Sequence, residues 1–207
     1  MDDTRVTITE AEALRSLYGT PNDIAAQKTI HKLDKHCRNF IAHSPFLVLS
    51  SAAADGSADV SPKGDAPGFV KVLDEQTLLI PDRRGNNRLD GLQNIIENPN
   101  VAMIFLVPGV GETLRVNGRA TITTDRALLE PLAVNGKAPQ TGLLVQVEEA
   151  FLHCAKAIIR SKLWDPATQI DRKSFPTIGQ MIADQIKGLD AEETDAYADE
   201  GYRERLY

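Results

Sequence analysis

The stretch Val101-Ala102-Met103-Ile104-Phe105-Leu106-Val107, then Pro108-Gly109-Val110-Gly111-Glu112, then Thr113-Leu114-Arg115-Val116-Asn117-Gly118-Arg119-Ala120-Thr121-Ile122-Thr123 decides the fold class. Gly109-Val110-Gly111 lacks the Lys-Ser/Thr of a phosphate loop and the third glycine of a dinucleotide fingerprint, so it reads as a hairpin turn. The two extended segments beside it therefore pair antiparallel. Working outward, similar apolar segments stand at Phe46–Ala53, Gly68–Leu73, Thr77–Ile80 and Leu143–Val147, separated by turns rich in Gly, Asp and Pro. Six or seven short strands with close turns make a mainly β protein, a small antiparallel barrel with peripheral helices rather than a parallel α/β sheet.

Helical periodicity flanks and interrupts this run. Residues 8–43 read as helical, with Thr9 as a cap and Leu33, Cys37, Phe40 and Ile41 at helix spacing before Ser44-Pro45. Residues 88–97 form a short helix on the stripe Leu89, Leu92, Ile95 and Ile96. Asp125 caps another, running to about Leu132, before a loop with Asn135-Gly136 and Pro139. Phe151–Leu163 reads as a basic amphipathic helix, and Thr177 with Gln180 forms a capping box for a helix that Gly188 closes. An acidic helical tail from Asp190 reads as a solvated surface, a dimer strap or a lid. The division expected is a helical segment over 1–44, a barrel over 45–170 and a helical extension over 171–207.

The 207 residues carry 29 acidic and 23 basic side chains, a formal charge of −6, with 42% hydrophobic and 25% charged residues. That balance argues against a nucleic-acid binder or a polybasic membrane protein. No apolar run approaches the roughly 20 residues that cross a bilayer, and the opening Met-Asp-Asp-Thr-Arg is not a secretory signal, so cytoplasm is the expected location. Cys37 and Cys154 lack partners at metal-ligand spacing and read as buried structural thiols. His153 beside Cys154 would diverge on a helix, and His31, His36 and His43 read as helix surface rather than a metal site.

Chemistry concentrates at Pro81-Asp82-Arg83-Arg84-Gly85-Asn86-Asn87-Arg88, between a strand and a helix. Three guanidiniums in six residues repel one another unless a polyanion or carboxylates lie opposite. A phosphate fits: Gly85 permits unusual backbone geometry, Asn86 and Asn87 offer amide donors, and the next helix presents free N–H groups. The plain alternative is a solvated basic turn. Val60-Ser61-Pro62-Lys63-Gly64-Asp65-Ala66-Pro67-Gly68 reads as a rigid polar loop. If Gly68–Leu73 pairs with Thr77–Ile80 through Asp74-Glu75-Gln76, that loop reaches the same end of the hairpin as Pro81–Arg84. Arg115, Asn117 and Arg119 alternate on one strand face beside it, a third donor set or a solvent-facing row. Asp82 and Glu112 read as turn carboxylates, and no catalytic dyad is evident.

Ser61-Pro62-Lys63-Gly64-Asp65, Leu79 to Asp90, Asn98-Pro99-Asn100-Val101 with Ile104-Phe105, and Leu114 to Ala120 together resemble the pyridoxamine 5′-phosphate oxidase-related FMN-binding proteins. His153 to Pro166 resembles a bacterial subgroup of FMN-dependent proteins within them, and the resemblance spans about residues 35–170. It implies a split β-barrel, a homodimer, and FMN held at the subunit interface. It gives Ser61, Pro62, Lys63 and Gly64 to the ribityl and ring region, Ile80, Pro81 and Asp82 to the flavin edge, and Arg84, Asn87 and Arg88 to the phosphate. Arg115 is a further candidate contact. Trp164, the single tryptophan, either meets the flavin of the other subunit or packs in its own core. The vitamin oxidase's Arg-Leu-His-Asp-Arg substrate segment has no match in Gly201-Tyr202-Arg203-Glu204-Arg205-Leu206-Tyr207, which argues against pyridoxamine phosphate as substrate. The function implied is an FMN-dependent oxidoreductase acting on an unidentified small molecule. The alternatives are a non-catalytic flavin or haem carrier and a deazaflavin-dependent reductase.

Overall fold

Strict alternation of buried and half-buried side chains along the central strands makes one sheet face the core and bends the sheet around it. The computed structural model describes residues 6–85 and 87–207. Helices α1 (Ala11–Tyr18), α2 (Asp23–Gln27) and α3 (Lys35–His43) precede strands β1 (Phe46–Ala52), β2 (Ala58–Gly64), β3 (Lys71–Val72) and β4 (Thr77–Asp82). Then come α4 (Asp90–Glu97), β5 (Asn100–Leu106), β6 (Thr113–Thr123), α5 (Arg126–Leu129), β7 (Thr141–His153), α6 (Lys156–Ser161), α7 (Ile178–Gln185) and α8 (Ala191–Glu204). The strand order is β2-β1-β5-β6-β7-β4-β3, with every neighbour antiparallel. This is the antiparallel split barrel with peripheral helices that the sequence pattern implied. No helix among the described residues is long and apolar enough to cross a membrane.

Leu47, Leu49, Leu78, Ile80, Met103, Phe105, Leu114, Val116 and Val145 fill the barrel. Leu33, Cys37 and Ile41 add the buried side of α3, whose N-terminus Asp34 caps by accepting from the His36 and Cys37 N–H groups. Burial, then the hydrogen bond with Asp34, pushes the Cys37 thiol up to about 12, so it stays protonated and inert. A second small cluster, Leu79, Leu129 and Leu132, seats the 126–132 segment on the outside of β4. Between Asn117 and Gly118 the β6–β7 register shifts by a bulge. There β7 comes so near that a Cβ on Gly118 would overlap the Gln146 carbonyl.

Several local expectations are corrected. The 8–43 stretch is three helices, broken around a bridge that pairs Ile30 with Ala150, and α1 begins after Glu10 with no side-chain cap from Thr9. The polar segment read as a loop is mostly strand β2, an edge strand where Pro62 needs no N–H partner. Only Lys71 and Val72 of the expected Gly68–Leu73 strand pair. Phe151–His153 continues β7, because its residues pair with Thr113–Arg115 there, leaving only Lys156–Ser161 as helix. Cys154 follows this strand and is exposed, not a buried thiol. Of the α4 stripe, Ile95 is buried and Leu92 packs on the core, whereas Leu89 and Ile96 are exposed. The capping box at Thr177 is present, but α7 ends at Gln185 with Ile186 as its C-cap, short of Gly188.

Candidate functional site

β2 and β4 stand on either side of the split and share no backbone pairing. Two ion pairs bridge them instead. Lys63 Nζ lies 2.8 Å from Asp82 Oδ1, each side chain about one-fifth exposed, and Arg83 Nε lies 2.6 Å from Asp65 Oδ2. Alternation along β2 turns Asp59, Ser61 and Lys63 into the opening and Val60 and Pro62 away from it. The result is a cleft of about 1120 Å³ with Leu49, Leu89 and Leu92 as its apolar lining. Residues 137–140, Thr141, which pairs with Asp82, and Tyr207 complete its lining.

The arginine turn enters this cleft in an unexpected way. Gly85 does not have positive φ; Asn87 (φ 59°) and Leu89 (φ 63°) hold the left-handed positions. A leucine there is strained by roughly 1–3 kcal/mol, a kind of strain concentrated at ligand sites. Asn86 lies outside the described residues. Carboxylates do lie opposite two of the three guanidiniums: Asp65 against Arg83, and Asp90 at 2.6 Å from Arg88 Nε. Arg84 is exposed and has no ion-pair partner among the described residues. Arg83 also donates through Nη1 to the Leu132 carbonyl at 2.8 Å, so it acts as a strut between three segments.

Helix α4 points its first turn into the cleft, and Gly91 leaves that turn bare. A Cβ at Gly91 would stand 3.3 Å from Asp59 Oδ2 and 3.6 Å from the hydroxyls of Ser51 and Ser61. The helix's positive end is thus already faced by a carboxylate, which weakens the expectation that N–H groups there hold an anion alone.

Asp65 lies behind Arg83 and Tyr207 with its side chain only 4% exposed. Burial works to raise its pKa, but the Ala66 N–H, the Tyr207 hydroxyl and Arg83 together bring it below the usual carboxylate value. Tyr207 donates its phenol to Asp65 Oδ1 at 2.9 Å, and this bond raises the phenol's own pKa.

Of the twelve cofactor-contact candidates, the structure brings Ser61, Lys63, Asp82, Arg84, Asn87 and Arg88 to the cleft. Pro62 and Gly64 lie on the β2 edge beside it, and Ile80 and Pro81 are buried in β4 behind Asp82. Arg115 and Trp164 do not line it. Arg115 rests 5.0 Å from the centroid of the Phe151 ring on the outer sheet face, and Trp164 donates its indole N–H to the Val110 carbonyl at 2.8 Å. Trp164 is half-exposed, so it is not packed in its own core. Sequence reasoning missed Asp59, Lys137 and Tyr207; only the Asn135-Gly136 turn gave a local sign, by aiming Lys137.

The family model described as Pyridoxamine 5'-phosphate oxidase matches residues 33–154. The chain belongs to that family. The pyridoxamine 5′-phosphate oxidase match covers α3 and every strand of the barrel, hence both sides of the cleft. Similar solved structures include HupZ from Group A Streptococcus, at 19% identity over 57% of this chain and 92% of that one, with a TM-score of 0.46. An FMN-binding protein from Syntrophomonas wolfei aligns at 12% identity over 68% and 95%, TM-score 0.46. HutZ, the heme storage protein from Vibrio cholerae, aligns at 13% over 59% and 94%, TM-score 0.41. No curated protein matches the sequence. In this member of the pyridoxamine 5′-phosphate oxidase family none of the four histidines lines the cleft; His31 and His43 are turned to the carbonyls of Glu148 and Asn39.

Proposed function

We propose that the cleft binds FMN and that the protein is an FMN-dependent oxidoreductase acting on a small molecule. The observation that carries this reading is Arg84, exposed at the cleft without a carboxylate partner among the described residues and flanked by Asn87 and Arg88. The residues fit the cofactor. A phosphate supplies the negative charge that Arg84 lacks, Lys63 and Ser61 offer donors further in, and Leu49 and Leu92 give an apolar surface for a ring. Because Asp59 already faces α4, the guanidiniums rather than the helix dipole would carry phosphate affinity; the dipole adds only about 0.3–1 kcal/mol, against roughly 1.5–3 for each charge-assisted bond.

The flavin would supply the redox chemistry, while the chain binds and orients it. Lys63, half-buried and hydrogen-bonded to Asp82, is placed to present an ammonium donor to whatever occupies the inner cleft. No histidine of this chain lines these walls, so the polar groups that the cleft itself offers suit a phosphate-bearing flavin. The same reading has two copies sharing the site. Phe46, Val48, Val60, Pro62, Ile104 and Leu106 leave an apolar strip partly exposed on the outer face of β2, β1 and β5, suited to a second barrel. Arg115 and Trp164 would meet a flavin only across that contact.

Titration of FMN into ligand-free protein tests the proposal. Arg84→Ala and Arg88→Ala should each weaken binding more than about tenfold while the fold persists. Riboflavin, without a phosphate, should bind the unaltered protein much more weakly than FMN. Equal affinity for FMN and riboflavin would overturn the phosphate site.

A further inference from the structure

One side of the cleft, beside Arg83, is completed by a residue far outside the barrel. Tyr207 lines the cleft, its phenol donates to Asp65, and its ring lies 5.8 Å from the Arg83 guanidinium. Lys137 Nζ grips its main-chain oxygen at 2.9 Å. The path to this point is also organised. At the end of α8, Arg205 folds back on its own helix, 3.3 Å from Glu200 Oε2 and donating to the Tyr197 carbonyl, with Gly201 leaving room for the guanidinium. Helix α8 is in turn clasped to α7, where the Gly179 N–H donates to Asp195 and a Cβ on Gly179 would overlap the Ala191 carbonyl. A pre-formed helical pair thus presents one aromatic residue to the cleft on a two-residue lead.

We propose that Tyr207 is a latch: it forms a removable wall of the cofactor cleft, and ligand enters and leaves when the phenol lets go of Asp65. The physical basis is the kind of contact involved. The wall of β7 is held by a ladder of backbone bonds, whereas Tyr207, itself half-exposed, is held by one phenol bond, one lysine and a cation–ring contact. Asp65 remains anchored by Arg83 and the Ala66 N–H when the phenol leaves, so release does not leave this buried carboxylate unpaired. Opening therefore costs little, and the rest of the cleft stays in place while it occurs.

The inference rests on the FMN reading of the cleft, so its test has one arm without FMN. In ligand-free protein, trypsin cleavage at Arg205–Leu206 is followed by mass spectrometry for Tyr207→Phe and the unaltered protein. Losing the phenol bond should speed cleavage roughly tenfold, since it removes a hydrogen bond to a charged group. Equal rates overturn the latch. In the second arm FMN association and dissociation are timed by flavin fluorescence for the unaltered protein, Tyr207→Phe and Tyr207→Ala. Both rates should rise in the variants, and affinity should change less than either. If dissociation alone rises while association stays fixed, Tyr207 is a plain wall contact and the latch is wrong. If FMN fails to bind the unaltered protein, the flavin reading fails and the trypsin comparison alone decides the latch.

Discussion

Two walls of the same barrel are closed by different means. On one side β6 and β7 pair from Thr113 with His153 to Thr123 with Gly142, so main-chain bonds hold them together. On the other, β2 and β4 face each other without pairing, and Lys63–Asp82 and Asp65–Arg83 carry the connection. Backbone ladders leave no room between strands about 5 Å apart, whereas side chains reaching across from both edges hold those edges farther apart. The barrel is therefore split where charged residues replace a ladder, and the ligand cleft is the space that this replacement keeps open.

Breaking the paired wall should have the largest effect. Gly118→Val places a branched side chain against the Gln146 carbonyl at the bulge, and should lower stability by more than about 3 kcal/mol, read as a lower urea midpoint. On the split wall the loss should be smaller and should depend on pH. Asp65→Asn removes the charge opposite Arg83 and is expected to cost about 2 kcal/mol at neutral pH. Because the folded pKa of Asp65 is depressed below its ordinary 3.8, this difference from the unaltered protein should be full above that value. It should shrink as pH falls through the lower folded value, where both states bind the proton. A difference that persists unchanged at the lowest pH would mean that shape, not charge, closes the wall. Smallest of all, Lys63→Met should cost about 1 kcal/mol or less, since both partners are partly solvated.

The contrast also explains what could be read in advance. Segments whose fate is decided by neighbours within ten residues were legible: the β5–β6 hairpin, the β3–β4 turn, the Asp125 cap and the Thr177 capping box all stand as the local pattern implied. The basic turn was found for the right reason, mutual repulsion of Arg83, Arg84 and Arg88. The sequence left open whether carboxylates or a ligand relieve it, and the structure divides the answer: Asp65 and Asp90 serve two of the arginines, leaving Arg84 at the cleft. The Phe151–Leu163 stretch misled because its apolar spacing suits a helix, yet β6 offered its first three residues a ladder, and pairing outweighed local preference.

The chain by itself determined the strand periodicity, the antiparallel sense of its hairpins, the helix caps at Asp125 and Thr177 and the family to which it belongs, since all of these are carried by short windows of residue type. Only the tertiary structure decided that β2 and β4 meet through ion pairs, that Asp59 faces the first turn of α4, and that Tyr207 reaches Asp65 from 142 positions away. Such pairings leave no trace in local pattern. A hydrogen bond or ion pair needs only a suitable donor and acceptor, which this charged chain offers many times over, and which ones meet is settled when the barrel fixes their distances.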